Sequence, residues 1–96
     1  MPKVAIIGSQ TQGACSSPPT VIRNGSKNVF IEGVGASYVG SGIIPHKRSG
    51  AKRVHSGNVI EGSPNVFVNG IPLARIGDPI SCGDIIAKGA STVSAN

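Results

Sequence analysis

The sequence predicts a small all-β domain, and three observations carry that reading. Fourteen Gly and seven Pro punctuate 96 residues, leaving no interval long enough for an ordinary helix. The apolar residues are mainly Val, Ile and Ala, with no Trp, one Tyr, two Phe and one Met, and β-branched side chains suit a pleated, half-buried surface. Third, one segment is written twice. NVFIEGVGASYVGS (28–41) and NVFVNGIPLARIGD (65–78) share Asn, Val, Phe and two Gly at a constant offset of 37 residues.

The repeat extends upstream. VIRNGSKNVFIEG (21–33) aligns with VIEGSPNVFVNG (59–70) when one residue of slack is allowed. Each copy reads as a short strand, a turn of small polar residues and a second strand. A third strand follows, ending in Val39-Gly40-Ser41 or Ile76-Gly77-Asp78. Internal repetition of this kind marks stacked or rotated copies of one supersecondary unit.

The two ends of the chain read as halves of a third copy. IIAKGASTV (85–93) resembles the start of the unit and VAIIGS (4–9) resembles its finish. Their pairing closes residues 1–96 into one domain of three quasi-equivalent units around one axis. Closure also protects the edge strands that a small β protein must cover.

Composition bounds the function. The net charge is +5, but Lys47, Arg48, Lys52 and Arg53 lie together in HKRSGAKRVH (46–55). No aromatic residue interleaves there to stack a base, so the loop reads as solvated surface and nucleic acid is not expected as a partner. The longest apolar run, VAII (4–7), is far short of the ~20 residues of a membrane helix. MPKVAIIGSQ lacks the apolar stretch of a signal peptide, so the general export pathway is not expected.

A chain of this size buries a thin core and often needs a metal, a disulfide or a partner. Its two Cys and two His supply a candidate set. Cys15 follows Gly8, His46 follows Gly40 and Cys82 follows Gly77, at intervals that shorten by one residue each time. His55 lies beyond the basic loop. Two thiolates and two imidazoles form a Cys₂His₂ set that points to tetrahedral Zn²⁺, with Fe²⁺ also admitted by ligand type. The alternatives are a Cys15–Cys82 disulfide, which the missing export signal argues against, or buried thiols with surface imidazoles.

The stretch around Pro72, Leu73, Ala74 and Arg75 resembles the PAAR-repeat family, named for Pro-Ala-Ala-Arg. The resemblance is most specific over residues 59–93. The first copy is degenerate at Val-Gly-Ala-Ser-Tyr (34–38), and VAIIGS lacks the Arg. It implies a small conical β protein with a metal near its point, held by Cys15, His46, His55 and Cys82. Relatives often carry more His before the first copy, where this chain has only Cys15.

Family likeness further implies a structural tip on the trimeric β-helical spike of a contractile injection machine, a phage tail or a type VI secretion system. One chain would sit on one spike trimer. Its place would be the virion tail spike, or the bacterial cytoplasm before secretion by the type VI route. Further partners would be effector proteins, which would supply any enzymatic cargo, and, transiently, the target envelope. The competing reading is a zinc-dependent hydrolase. A catalytic zinc keeps one position open beside a general base, whereas all four ligands are used here to close the site. Glu32, Glu61, Asp78 and Asp84 form no HExxH-like motif and suit turns and surface, so no catalytic residue is expected.

Spike contact is expected from Val29, Phe30, Val66 and Phe67, together with Val21, Val59 and Ile85, which lead the three units. Alternation along a strand lets only one residue of each Val-Phe pair face inward.

Overall fold

The computed structural model describes residues 2–12, 20–44 and 57–95. Its longest regular elements are two hairpins. Strand β1 (Phe30–Ile31) pairs antiparallel with β2 (Val34–Gly35), and β3 (Phe67–Val68) with β4 (Ile71–Pro72). Phe30 stands opposite Gly35 and Phe67 opposite Pro72. The two-residue loops have positive φ at both positions, 53° and 79° at Glu32–Gly33 and 51° and 82° at Asn69–Gly70. That pattern matches the right-handed twist of the flanking strands. The remaining cross-strand pairing among the described residues consists of single bridges.

The third hairpin is built from both ends of the chain. Lys3 bridges Ser94, and the Ala95 N–H donates to Pro2 O at 3.0 Å. The Val4 N–H donates to Val93 O, repeating Ala36 to Val29 and Leu73 to Val66, all at 3.0 Å. The termini thus complete the third repeat, as the Gly-Val patterns of residues 4–9 and 85–93 predict.

Around the axis the backbone forms a closed triangle. Ala5 N–H donates to Ala74 O (2.9 Å), Ala74 N–H to Ser37 O (3.0 Å), and Ser37 N–H to Ala5 O (3.0 Å). All three residues are fully buried, and each side chain extends no further than a methyl or a hydroxymethyl group. Larger groups would push the three backbones beyond hydrogen-bonding range.

Three equivalent turns follow the triangle. Gly8, Gly40 and Gly77 have φ of 90°, 102° and 93°, a region that side chains rarely tolerate. Their N–H groups donate to Ile22 O, Val59 O and Ile86 O at 2.8, 2.8 and 2.9 Å. This bonding removes the slack from the alignment, because Ile22, not Val21, is the equivalent of Val59. The offset of 37 residues therefore holds without interruption from Ile22 onward. The shared first Val of VIRNG and VIEG is coincidental in register.

Two apolar clusters lie on either side of the triangle. Ile22, Ile43, Val59, Ile80 and Ile86 pack with Ala5 and Ala74, and Cys82 lies against them. On the hairpin side Val4, Ala36, Val68, Leu73 and Ala95 pack with Val29, Ile31, Tyr38 and Val93. The molecule is elongated, 39 × 24 × 22 Å.

The units differ where each leans on its neighbour. Ser26 Oγ accepts from Val29 N–H (2.9 Å) and Asn28 N–H (3.2 Å), and Ser63 Oγ accepts from Val66 N–H (2.9 Å) and Asn65 N–H (3.3 Å). The third unit has Ala90 at that position and no hydroxyl to offer. The Glu32 carboxylate reaches across from the β1–β2 turn instead, accepting from Thr92 N–H (2.7 Å), Ser91 N–H (3.4 Å) and both hydroxyls. Asn69 makes the corresponding reach from the other hairpin, its Nδ2 donating to Asn28 Oδ1 at 2.8 Å and Ser26 Oγ at 3.3 Å. Asn tolerates positive φ readily and Glu does so at some cost. The carboxylate's contacts with Ser91 and Thr92 account for Glu at a turn position where Asn or Gly is the easier choice.

Two tests follow from this packing. Ala74→Leu should destabilise the protein by about 1–3 kcal/mol through overpacking on the axis, read as a lower urea midpoint with little change in slope. Hydrogen bonds from Thr92 hold the Glu32 pKa below its ordinary 4.5. A depressed carboxylate adds stability above its unfolded pKa and loses it as pH falls through the folded value. Acid titration should therefore loosen residues 91–92 below about pH 4.5, seen as faster amide exchange there, and Glu32→Gln should flatten that response.

Candidate functional site

Each turn is followed by a segment that leaves the repeat. These segments are bracketed by equivalent backbone hydrogen bonds: Thr11 N–H to Thr20 O (2.9 Å), Ile43 N–H to Gly57 O (3.1 Å) and Ile80 N–H to Asp84 O (2.9 Å). A second equivalent set lies one residue further on, with Gln12 N–H to Ile85 O, Ile44 N–H to Val21 O and Ser81 N–H to Asn58 O. Three loops, 12–19, 44–56 and 81–83, therefore leave one level of the molecule. The four metal candidates fall within them, Cys15 in the first, His46 and His55 in the second, and Cys82 in the third.

Of these four, only Cys82 lies among the described residues. It is half-buried against the axial cluster of Ile and Val. Cys15, His46, His55 and the basic segment 47–53 lie outside them. No group of three His, Cys, Asp or Glu residues able to hold a metal occurs among the described residues. What fits a metal here is the chemistry of the donor set and the common level from which its loops depart. Asp84, expected at a turn or on the surface, is instead fully buried beside Cys82's loop, its Oδ1 accepting from Ile85 N–H at 2.8 Å. No periodicity marks that burial in the sequence; it follows from the shortness of the third loop.

The Arg of the signature has a structural task. Asp78 caps its own turn by accepting from Arg75 N–H at 2.7 Å, as Ser9 Oγ accepts from Ile6 N–H (2.9 Å) and Ser41 Oγ from Tyr38 N–H (3.0 Å). The extra carboxylate oxygen lets Asp78 also grip the guanidinium, through Nε (3.2 Å) and Nη2 (2.9 Å). Arg75 Nη2 then reaches Gly62 O at 3.3 Å and ties the turn to the start of its own unit. The bond to Asp78 holds the Arg75 pKa above its ordinary value. Arg75 and Asp78 form one pair, whereas Tyr38/Ser41 and Ile6/Ser9 need no counter-ion.

The hairpin end presents the apolar candidates. Phe30 and Phe67 are 59% and 54% exposed, and Val66 is exposed beside Phe67. Val29 is half-buried and packs against the hairpin-side core. In the first pair Phe30 faces outward and Val29 inward, but in the second both Val66 and Phe67 are exposed, against the expectation that one of each pair faces the core. Val21 and Ile85 are half-buried, and both carbonyls are used within the fold, accepting from Ile44 and Gln12. Val59 is 1% exposed in the axial core, so its side chain has no surface to offer a partner. Val59 is the equivalent of Ile22 and Ile86, one place beyond Val21 and Ile85, which is why it alone of the three is internal. Ile71, 38% exposed on β4, stands opposite Val68 and so lies on the other face of the hairpin from Phe67. It is the non-identical partner of Val34 and gave no signal in the repeat.

Closed pseudo-threefold symmetry, small residues on the axis and three equivalent turns define a single-chain, three-unit β-repeat protein. A family model for the PAAR motif matches residues 49–96, and the chain belongs to the PAAR-repeat family. The match spans the unit that carries Pro72-Leu73-Ala74-Arg75, although the backbone repeats the same geometry in residues 22–44. No curated protein matches significantly. The family is structural and points to a spike-tip protein of contractile injection systems, associated with a spike. Among the described residues no helix is long and apolar enough to cross a membrane.

The Arg75–Asp78 pair predicts an ordered set of variants. Asp78→Ala should cost about 1–3 kcal/mol, since it leaves the turn N–H and the guanidinium without their acceptor. Asp78→Ser should recover part of that loss. Asp78→Ser with Arg75→Tyr, which reproduces the Tyr38/Ser41 turn, should recover most of it. Thermal unfolding midpoints in the order Ala, then Ser, then the double variant check the assignment.

Proposed function

We propose that this protein caps and sharpens the trimeric β-helical spike of a contractile injection machine, one chain per trimer. The single observation that carries the reading is the closed triangle of Ala5, Ser37 and Ala74. It turns one polypeptide into an object with three similar sectors, the form needed to seat a monomer on a threefold end. The exposed Phe30 and Phe67 side chains supply an apolar docking face at the hairpins, with Val29 and Val66 beside them.

At the loop end Cys15, His46, His55 and Cys82 would hold one metal, Zn²⁺ by ligand type, with Fe²⁺ as the alternative. A closed Cys₂His₂ set supplies folding free energy rather than a reactive water. The role is mechanical. A metal-tied point resists deformation while contraction elsewhere drives it through an envelope. A phage tail and a type VI secretion system would use the same device, with effectors carried by partner proteins.

A cognate trimeric spike and this chain should form a complex of one chain per trimer by native mass measurement. The complex should resist salt, because salt screens charges and leaves apolar burial largely intact. A ratio of three chains per trimer would overturn the assignment. Elemental analysis should find one metal per chain, and chelation should lower the unfolding midpoint. A Cys15–Cys82 disulfide with no metal would sink the metal assignment.

A further inference from the structure

The repeat positions Phe30, Phe67 and Ser94 are equivalent, each standing opposite the same place on its partner strand: Gly35, Pro72 and Lys3. Two of the three are Phe and the third is Ser. The chain contains only two Phe, and both are more than half exposed at matched positions while Ile and Val fill the core. A small protein short of bulky core residues has thus placed its largest apolar side chains outside. Such exposure is the mark of an interaction surface, and aromatic anchors dominate interface energetics.

The third sector is polar. Ser94, Lys3 and Pro2 are exposed there, and Lys3 Nζ donates to Ser91 O at 2.9 Å. We propose that the hairpin end meets its partner as two apolar sectors and one polar sector, and that the partner reads only the number of Phe anchors, not which sector carries them. This rests on the threefold spike proposed above. A partner with true threefold symmetry presents three identical sites. Turning the chain by one third of a revolution then gives the same complex, so the polar sector costs the same wherever it falls. A partner without that symmetry distinguishes the sectors.

The test moves an anchor from one sector to another. The probe is the trimeric β-helical spike protein encoded by the same genome, and thermal midpoints establish that each variant is folded. Phe30→Ser and Phe67→Ser should each weaken binding about tenfold or more, as truncation of an aromatic anchor does. Ser94→Phe alone should bind at least as tightly as the unaltered chain. The double variant Phe30→Ser with Ser94→Phe should return to within about threefold of the original affinity, since the anchor count is restored. A folded double variant that binds no better than Phe30→Ser would overturn the inference while leaving the docking face in place. Binding unchanged in both single Phe variants would overturn the inference and the hairpin docking face together, even if the one-to-three complex still forms.

Discussion

Everything in this fold depends on three backbone segments approaching one axis closely enough to hydrogen-bond in a circle. Ala5, Ser37 and Ala74 each give one N–H and receive one at a carbonyl, so the triangle leaves no orphan donor at the most buried point of the molecule. The constraint propagates outward. Axial side chains must be small, and a turn with positive φ must follow each segment. The next residues to meet, Ile22, Val59 and Ile86, must be branched and apolar to fill the widening space. A protein with almost no large core residues is stable in this geometry because satisfied backbone polarity, more than bulk, organises its centre.

Around that shared frame the three units diverge, and the divergences compensate one another. Ala90 lacks the hydroxyl that Ser26 and Ser63 supply, and Glu32 from another unit replaces it. Arg75 brings a charge that Tyr38 and Ile6 do not, and Asp78 answers it where Ser41 and Ser9 suffice elsewhere. Each substitution breaks the symmetry in side chains while sparing it in the backbone. The signature Arg is in this sense a turn-fastening residue, and its absence from two units costs neither of them its fold.

The fold was legible in the sequence because the repeat is nearly uninterrupted and its punctuation is Gly, whose backbone demands are specific. Even the split copy could be read from Gly-Val patterns in residues 4–9 and 85–93. Register was harder. A chance Val before Ile22 mimicked the Val of Val59-Ile60 and introduced slack that the Gly40 N–H to Val59 O bond removes. Exposure was harder still: of the two Val-Phe pairs only Val29 packs against the core while Val66 and Phe67 are both exposed, and a residue leading a unit can sit on the axis as Val59 does. The metal candidates were legible as an inventory and as positions after each turn. The roles of Glu32 and Asp84 were not, because cross-unit hydrogen bonds and short-loop burial leave no periodic trace.

The pairing of Lys3 with Ser94 bears on how the molecule is made. The segment around Lys3 waits for the segment around Ser94, on the far side of the other two units, before their pairing exists. Loop-closure entropy must be met before that contact gives any return. The two internal hairpins need no such delay. A nascent chain therefore carries two finished sectors and one gap, with the Ile22 and Val59 layer open along the side where Ile86 belongs. The interval before closure is when this chain is most exposed to pairing with strand edges of its neighbours, so rapid capture of the C-terminal segment is as much a requirement on the sequence as the final architecture.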